Sequence, residues 1–588
     1  MLKRSEVKEE YKWKITDMFI SDAHWEKELD SVNRQISEFA QNTAVTVDNL
    51  YGLLQRRDSI LQKVDYLYVY AGLKANEDST NTAYQAMSDK SEGLITAFSS
   101  ASAFVEPAIL SLDEDALRAA LEKEPLKLYE HYINDILRSR EHILSKDKEE
   151  LLAQFYEVGS AASNIFYMID NADMRFPDIQ DSKGEKHSLS HGNYISYLES
   201  GDRTLRKSAF DTYYDTYYRQ KNTLAAVYSA SVKRDIAFAR ARNYKSSLDS
   251  MLFVNNIPTE VYGRLIETVN KHLPLMQRYV KLRKKMLGLD ELHFYDLYTP
   301  IVDKVNTSKT YDEAKAEVLK AVSVLGEDYV STLTKALEKE GWVDIYENAG
   351  KRSGAYSWGA YGCHPFVSLN YNNTVDSMFT LAHEMGHAMH SHYTWSNQPF
   401  VYGDYTIFVA EVASTVNEAL LMEHLLKTAE DKGFRTYLLN YFMEQFRGTL
   451  FRQTMFAEFE LITHETVEKG GALTFESMNE IYLNLNKKYF GADIVYDDKI
   501  AWEWARIPHF YTAFYVYQYA TGYSAAIALS QNILKNNGAE AYLNFLKGGS
   551  SKYSIDLLKG AGVDMTSPKP VDDALKVFEG LLDQMEKI

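Results

Sequence analysis

Apolar residues recur at helical spacing through much of the chain. Trp25, Leu29, Val32, Ile36 and Phe39 lie three or four apart, on one face, and predict a helix over residues 25–39. Similar helix-length stretches fill residues 1–130. Only 29 glycines and 11 prolines punctuate 588 residues, so long helices are expected. The period changes in two places. Residues 174–189, with Asp181-Ser182-Lys183-Gly184 at their centre, read as a small hairpin or extended loop, after which helical patterns resume near Asn193. Over residues 366–371, Val367, Leu369 and Tyr371 alternate with Phe366, Ser368 and Asn370, which predicts a strand. The fold class is therefore mainly α, with a small β-sheet beside the helix that follows. A chain of this length exceeds one hydrophobic core. A boundary near residue 200 divides it into an N-terminal helical lobe, 1–200, and a second lobe, 201–588.

Composition narrows the function. The hydrophobic fraction of 45% is ordinary for a globular protein. A formal charge of −18 argues against nucleic acid as a partner, since phosphate binding needs a basic surface. Cys363 is the single cysteine, which suits a reducing cytoplasm. The N-terminus lacks the apolar run of a signal peptide, and no stretch reads as a membrane span. No obligate protein partner is evident. The adjacency of Cys363 and His364 does not make a cysteine protease, because nucleophile and base meet in the fold and not as neighbours in sequence.

The candidate chemistry lies at His383-Glu384-Met385-Gly386-His387, an H-E-x-x-H motif. Asp376 and Ser377 are positioned to cap a helix there. Positions i and i+4 share a helix face, so His383 and His387 can point at one Zn²⁺ while Glu384 serves as general base. A catalytic zinc needs a third protein ligand. His390 lies about 10 Å along the axis from His383, too far for bonds of about 2 Å. Glu411 is the better candidate. It stands 24 residues beyond His387, enough for a loop through Tyr402-Gly403-Asp404-Tyr405 and a second helix over residues 408–421. Glu418, two turns after Glu411, can accept from a ligand imidazole and fix its tautomer.

Upstream, Gly354, Gly359 and Gly362 interleave with Tyr356 and Tyr361 and read as a substrate-facing loop. The adjoining strand, with Val367 and Leu369, could offer main-chain hydrogen bonds to an extended peptide. Downstream, six of the eleven residues from His509 to Tyr519 are aromatic. A helix starting at Pro508 would put Phe510, Phe514 and Tyr517 on one stripe and Tyr511, Tyr515 and Tyr519 on another.

HEMGHAMH followed by FVAEVASTVNE resembles the M3 metallopeptidases, and within them the oligoendopeptidase F branch. The segments at residues 137–142, 239–244, 292–298, 354–356, 365–370, 506–511 and 514–519 are similar too, so the likeness runs from about residue 110 to the end. It implies a two-lobed helical enzyme with zinc on the floor of a deep channel and short peptides as substrates. It also implies oxyanion binding by a histidine and tyrosines, carried here to His509 and Tyr517, and less directly to Tyr511 and Tyr515. Two other readings compete: a non-catalytic peptide-binding protein on the same scaffold, against which the intact Glu384 argues, and a zinc hydrolase of a non-peptide substrate.

Overall fold

The structure is a computed structural model that describes residues 2–41, 43–302 and 308–588. It is mainly helical. Its chain forms two compact units. One comprises Met1–Arg140, Thr307–Lys427 and Leu529–Val563; the other comprises Glu141–Asn306, Thr428–Ala528 and Asp564–Ile588. The units are therefore not the two contiguous lobes expected from a boundary at residue 200. The chain returns to each unit after leaving it, because helices distant in sequence complete each core.

In the first unit, helices Asp22–Phe39, Leu50–Glu77 and Thr82–Ser102 pack together. The first of them buries Trp25, Leu29, Val32, Ile36 and Phe39, the stripe that the periodicity predicts. Ser21 caps it, accepting from the His24 amide, and the Trp25 indole donates to the Leu67 carbonyl at 2.9 Å. Residues Thr82–Ser111 are long and apolar enough to pass a membrane-span test on composition, contrary to the sequence expectation. In this fold Leu94, Phe98 and Ile109 from that stretch lie in the core with Trp25 and Leu67.

A three-stranded sheet completes the frame of this unit. Strands β3 (Val343–Asp344) and β4 (Tyr356–Trp358) flank β5 (Phe366–Ser368), parallel and antiparallel to it respectively. The buried Lys351 ammonium bonds the Asp344 carboxylate at 2.7 Å and the Tyr346 carbonyl at 2.9 Å, which ties the β3–β4 connection to the sheet. Helix Val375–Asn397 follows directly and packs on β4 and β5. In the second unit, strands β1 (Ile179–Gln180) and β2 (Lys186–His187) pair as the small hairpin read from the sequence. Helices Lys221–Ala241, Arg452–Glu468 and Phe475–Phe490 form part of its core.

Candidate metal centre and its surroundings

The motif helix begins one step earlier than the sequence reading placed it. Thr374 is the cap, its hydroxyl accepting from the Ser377 amide at 3.1 Å. Asp376 and Ser377 belong to the first turn. His383 and His387 then project from one face, with Nε2 atoms 3.2 Å apart. The chain returns through a short 3-10 turn at Phe400–Tyr402 and two further helices, Ile407–Ala410 and Val412–Thr428. Glu411 sits in the break between those two helices, and not within the continuous helix expected from residue 408. The break aims its carboxylate: Oε2 lies 3.2 Å from His383 Nε2 and 3.3 Å from His387 Nε2.

These donors form a nearly equilateral triangle. Three ligands of a tetrahedral ion with bonds of about 2.0–2.1 Å would stand about 3.3 Å apart. His383 Nδ1 lies 2.5 Å from Glu418 Oε1, the geometry of an Nδ1–H donor on a carboxylate acceptor. A neutral His383 then has only a lone pair on Nε2. That lone pair faces a carboxylate oxygen and a second imidazole nitrogen, which is a favourable arrangement only around a cation. The donor set of two imidazoles and one carboxylate suits zinc. His383, His387 and Glu411 thus fit the metal, and Glu418 lies within hydrogen-bond distance of His383 Nδ1.

Without a cation between these donors, the same contacts favour a protonated imidazole. Burial would lower the His383 pKa, but Glu411 and Glu418 outweigh it and hold the imidazole up at about 10. Burial likewise opposes ionisation of Glu411, yet His383 and His387 keep its carboxyl well below the usual range. The two carboxylates thus bring negative charge to the imidazoles, which a proton or a metal cation would neutralise. Glu384 is different. It is buried, and burial raises its pKa against the opposing pull of His383 and His387. It shares the pocket without joining the triangle.

Three positioning residues escaped the sequence reading. Gly386 lies against the returning segment: a Cβ there would come within 2.6 Å of Ser414 Cα and 2.7 Å of the Ala413 carbonyl oxygen. The glycine inside the motif is what lets the backbone beside Glu411 approach the histidines. The Ser414 hydroxyl donates to the Glu411 carbonyl at 2.9 Å and lies 3.2 Å from its Oε2. The Asn417 amide donates to the Ala382 carbonyl at 3.1 Å and accepts from the Tyr329 hydroxyl at 3.0 Å, pinning the two helices together. The signal in the sequence was small and polar residues on otherwise apolar helices. His390, the competing ligand, is a core residue. It is 1% exposed, stacks on Tyr405 with ring centroids 3.8 Å apart, and burial pushes its pKa down to about 3.

The substrate-binding expectations divide. Val367 and Leu369 are buried, at 0% and 1% exposure, because β5 is the central strand, paired on both sides. The Val367 and Leu369 amides donate to the Trp342 and Asp344 carbonyls at 2.8 Å each. Neither residue has a side chain or an edge to offer a peptide, which corrects the reading of that strand as substrate-facing. The edges are β3 and β4, and β4 carries Tyr356. The Tyr356 hydroxyl accepts from the Asn76 amide at 2.8 Å, and the exposed Gly354 precedes it with φ of +82°.

In the second unit, no helix starts at Pro508. A 3-10 turn covers Pro508–Tyr511, and the helix begins only at Tyr517. Phe514, between them, adopts a φ of +55°. The buried Glu460 carboxylate accepts from the Phe514 amide at 2.9 Å, and Arg234 donates to the Tyr511 carbonyl at 3.4 Å. The two expected stripes therefore do not exist. Tyr511 stacks on Phe166 at 4.4 Å and Tyr517 packs on Tyr262 at 5.1 Å; both are buried. His509 is exposed and lies 6.2 Å from the half-buried Tyr515 and 6.0 Å from the half-buried Tyr519.

Comparison with known proteins places the chain. The sequence model of Peptidase family M3 matches residues 196–577, and that of Oligopeptidase F matches residues 109–176. Oligopeptidase PepF of Bacillus subtilis is 51% identical over 591 aligned residues, covering 100% of this chain and 88% of that protein. Group B oligopeptidase PepB of Streptococcus agalactiae is 43% identical, covering 100% of this chain and 98% of that protein. Among solved structures, a putative peptidase from Chlamydophila abortus superimposes with a TM-score of 0.94 at 36% identity, covering 100% and 99% of the two chains. Oligoendopeptidase-F from Enterococcus faecium gives 0.74 at 37%, covering 96% and 99%. With identity of this order along its whole length, the chain belongs to Peptidase family M3, in its oligoendopeptidase F branch, and is a metalloendopeptidase.

Proposed function

We propose that this enzyme hydrolyses internal bonds of short oligopeptides in a zinc-dependent reaction with Glu384 as general base. The observation that carries the reading is the triangle of His383 Nε2, His387 Nε2 and Glu411 Oε2, with edges of 3.2, 3.3 and 3.2 Å. These side chains would hold one zinc ion per chain. When bound, zinc polarises the scissile carbonyl and makes a water molecule acidic enough to attack near neutral pH. Glu384 takes the proton of that water and delivers it to the leaving amine. Its burial, which raises its proton affinity, suits a group that must accept a proton and give it back. Glu418 keeps His383 in the tautomer that presents Nε2.

For the oxyanion role that the family resemblance implies, His509 and Tyr515 are the better bearers. His509 is exposed and Tyr515 half-buried, whereas Tyr511 and Tyr517 are buried. Main-chain recognition of the peptide falls to the β4 edge around Gly354 and Tyr356, a mode tolerant of side-chain identity. The names of the relatives, oligopeptidases and oligoendopeptidases, support short peptides as the substrate class. The single cysteine supports a cytoplasmic setting.

A peptide library graded by length, digested and mapped by mass spectrometry, tests the proposal. Internal cuts confined to short peptides, lost on chelation and restored by zinc, are expected. Release of terminal residues alone would exclude endopeptidase action on this substrate class.

A further inference from the structure

Inside the second compact unit, guanidinium groups outnumber the carboxylates that serve them. Glu444 accepts from both Arg283, at 3.1 Å, and Arg447, at 2.9 and 2.6 Å. Glu503 accepts from both Arg452, at 2.7 Å, and Arg506, at 2.8 Å. Each carboxylate is thus shared by two cations, and among the described residues no other carboxylate bonds these four arginines. Arg283 is 1% exposed, Arg447 4% and Glu503 3%, while the side chains of Arg452 and Arg506 keep 16% each and that of Glu444 25%. Buried charge is tolerated when it is paired, and an excess of one sign calls for a counterion.

A cavity of about 20 Å³ lies within this cluster, lined in part by Arg447, Arg452, Arg506, Glu503 and Tyr298. That volume accommodates a single water-sized species. Donors remain to fill it. Arg447 uses Nε and Nη2 on Glu444, and Arg506 uses Nε on Tyr214 and Nη2 on Glu503. The remaining Nη1 of each, and the Tyr298 hydroxyl, have no hydrogen-bond partner among the described residues. The Arg447 guanidinium also covers the Tyr298 ring at 4.7 Å. Burial would raise the Tyr298 phenol, but Arg452 and Arg447 outweigh it and bring it below its ordinary range. The cavity is therefore lined by three guanidiniums against one carboxylate, Glu503, with spare N–H donors and room for a small guest.

We propose that this cavity binds one halide-sized monovalent anion, held by Arg447, Arg452 and Arg506 with the Tyr298 hydroxyl as a further donor. A water molecule in the space would leave the charge excess in place. The site involves none of the residues assigned to zinc or substrate, so it stands independently of the proposed reaction.

The test uses the full zinc-loaded chain. Thermal unfolding is followed in sodium chloride and in sodium gluconate at matched ionic strength. Chloride is expected to raise Tm saturably and gluconate is not, because gluconate cannot enter. Tyr298→Phe keeps the ring against Arg447 and removes the hydroxyl, so the chloride midpoint should rise about tenfold, the worth of one charge-assisted hydrogen bond. Crystals of the unaltered protein grown in bromide should show an anomalous peak between the three guanidiniums. Identical Tm curves in the two salts, or a bromide map with no peak in the cavity, would overturn the proposal.

Discussion

Single atoms decide what each side chain at the metal centre does. Glu384 is buried beside the ligands but takes no edge of the donor triangle. Glu384→Gln should keep full metal content and fold while losing about 10²–10⁴-fold in turnover, the usual range for general acid–base catalysis. Metal analysis and peptide cleavage on the same sample check this; wild-type turnover would remove Glu384 from the mechanism. Glu411 and His390 separate ligand from core. Glu411→Ala should empty the site. His390→Ala should retain the metal and instead lower stability by about 1–3 kcal/mol through loss of a buried stacked ring. Metal titration and denaturant melts of both variants discriminate, and loss of metal in His390→Ala alone would reverse the assignment. The aromatic segment offers a third comparison. Tyr515→Phe should lower kcat about a hundredfold with KM little changed, as removal of a donor that meets only the oxyanion does. Tyr517→Phe, at a buried position, should leave kcat near wild type. Steady-state kinetics on one short peptide would move the role to Tyr517 if the pattern came out the other way.

At the scale of elements, the site is a junction of two helices held unusually close. Gly386 makes that approach possible, and the Asn417 amide bonded to the Ala382 carbonyl secures it. Gly386→Ala would drive a methyl group into the Ala413–Ser414 backbone. Overpacking of this kind costs about 1–3 kcal/mol, and here the displaced segment carries Glu411. The expected result is a folded protein with sharply weakened zinc binding although every ligand is intact. Isothermal titration with zinc, beside circular dichroism to verify folding, measures it; unchanged affinity would mean that the contact does not position Glu411. A second element, the aromatic segment, is shaped by one hydrogen bond. Phe514 holds a left-handed φ of +55° that a non-glycine residue rarely adopts. The buried Glu460 accepting its amide helps to keep it there.

For the molecule as a whole, the proposed zinc binding should be coupled to folding. A ligand that binds the native state and not the unfolded chain adds about 4 kcal/mol at a thousand times its dissociation constant. Chelation should therefore abolish activity and lower Tm together, with both restored by zinc. Calorimetry of the apo and reloaded protein tests the coupling, and a Tm insensitive to zinc would show that the ion does not bridge helices in the native state. Each ligand comes from the first compact unit, within Thr307–Lys427, so the stabilisation should appear chiefly in the unfolding of that unit.

Some of this was settled by local sequence and some was not. The helix over residues 25–39, the small hairpin near residue 181 and the pairing of His383 with His387 were legible because periodicity within one element depends on a few neighbouring residues. Glu411 and Glu418 were legible as well: the intervening length allows a return helix, and zinc restricts the ligand chemistry. The extent of β5 pairing was not legible, since alternation shows a strand but not how many neighbours it has. Val367 and Leu369 were consequently assigned to an edge, whereas the edges of this sheet are β3 and β4. The helix expected from Pro508 failed for a related reason. Its interruption rests on the Glu460 contact to Phe514, 54 residues apart in sequence, and no local pattern records it. The single boundary near residue 200 failed because each compact unit is assembled from three separate stretches of chain. Sequence alone determined the family and the candidate chemistry, because the motif and the proposed ligands and base rest on residue type and helical spacing. Tertiary structure alone decided which aromatic groups are accessible and how closely Glu411 approaches the histidines, because both depend on side chains brought together across long loops.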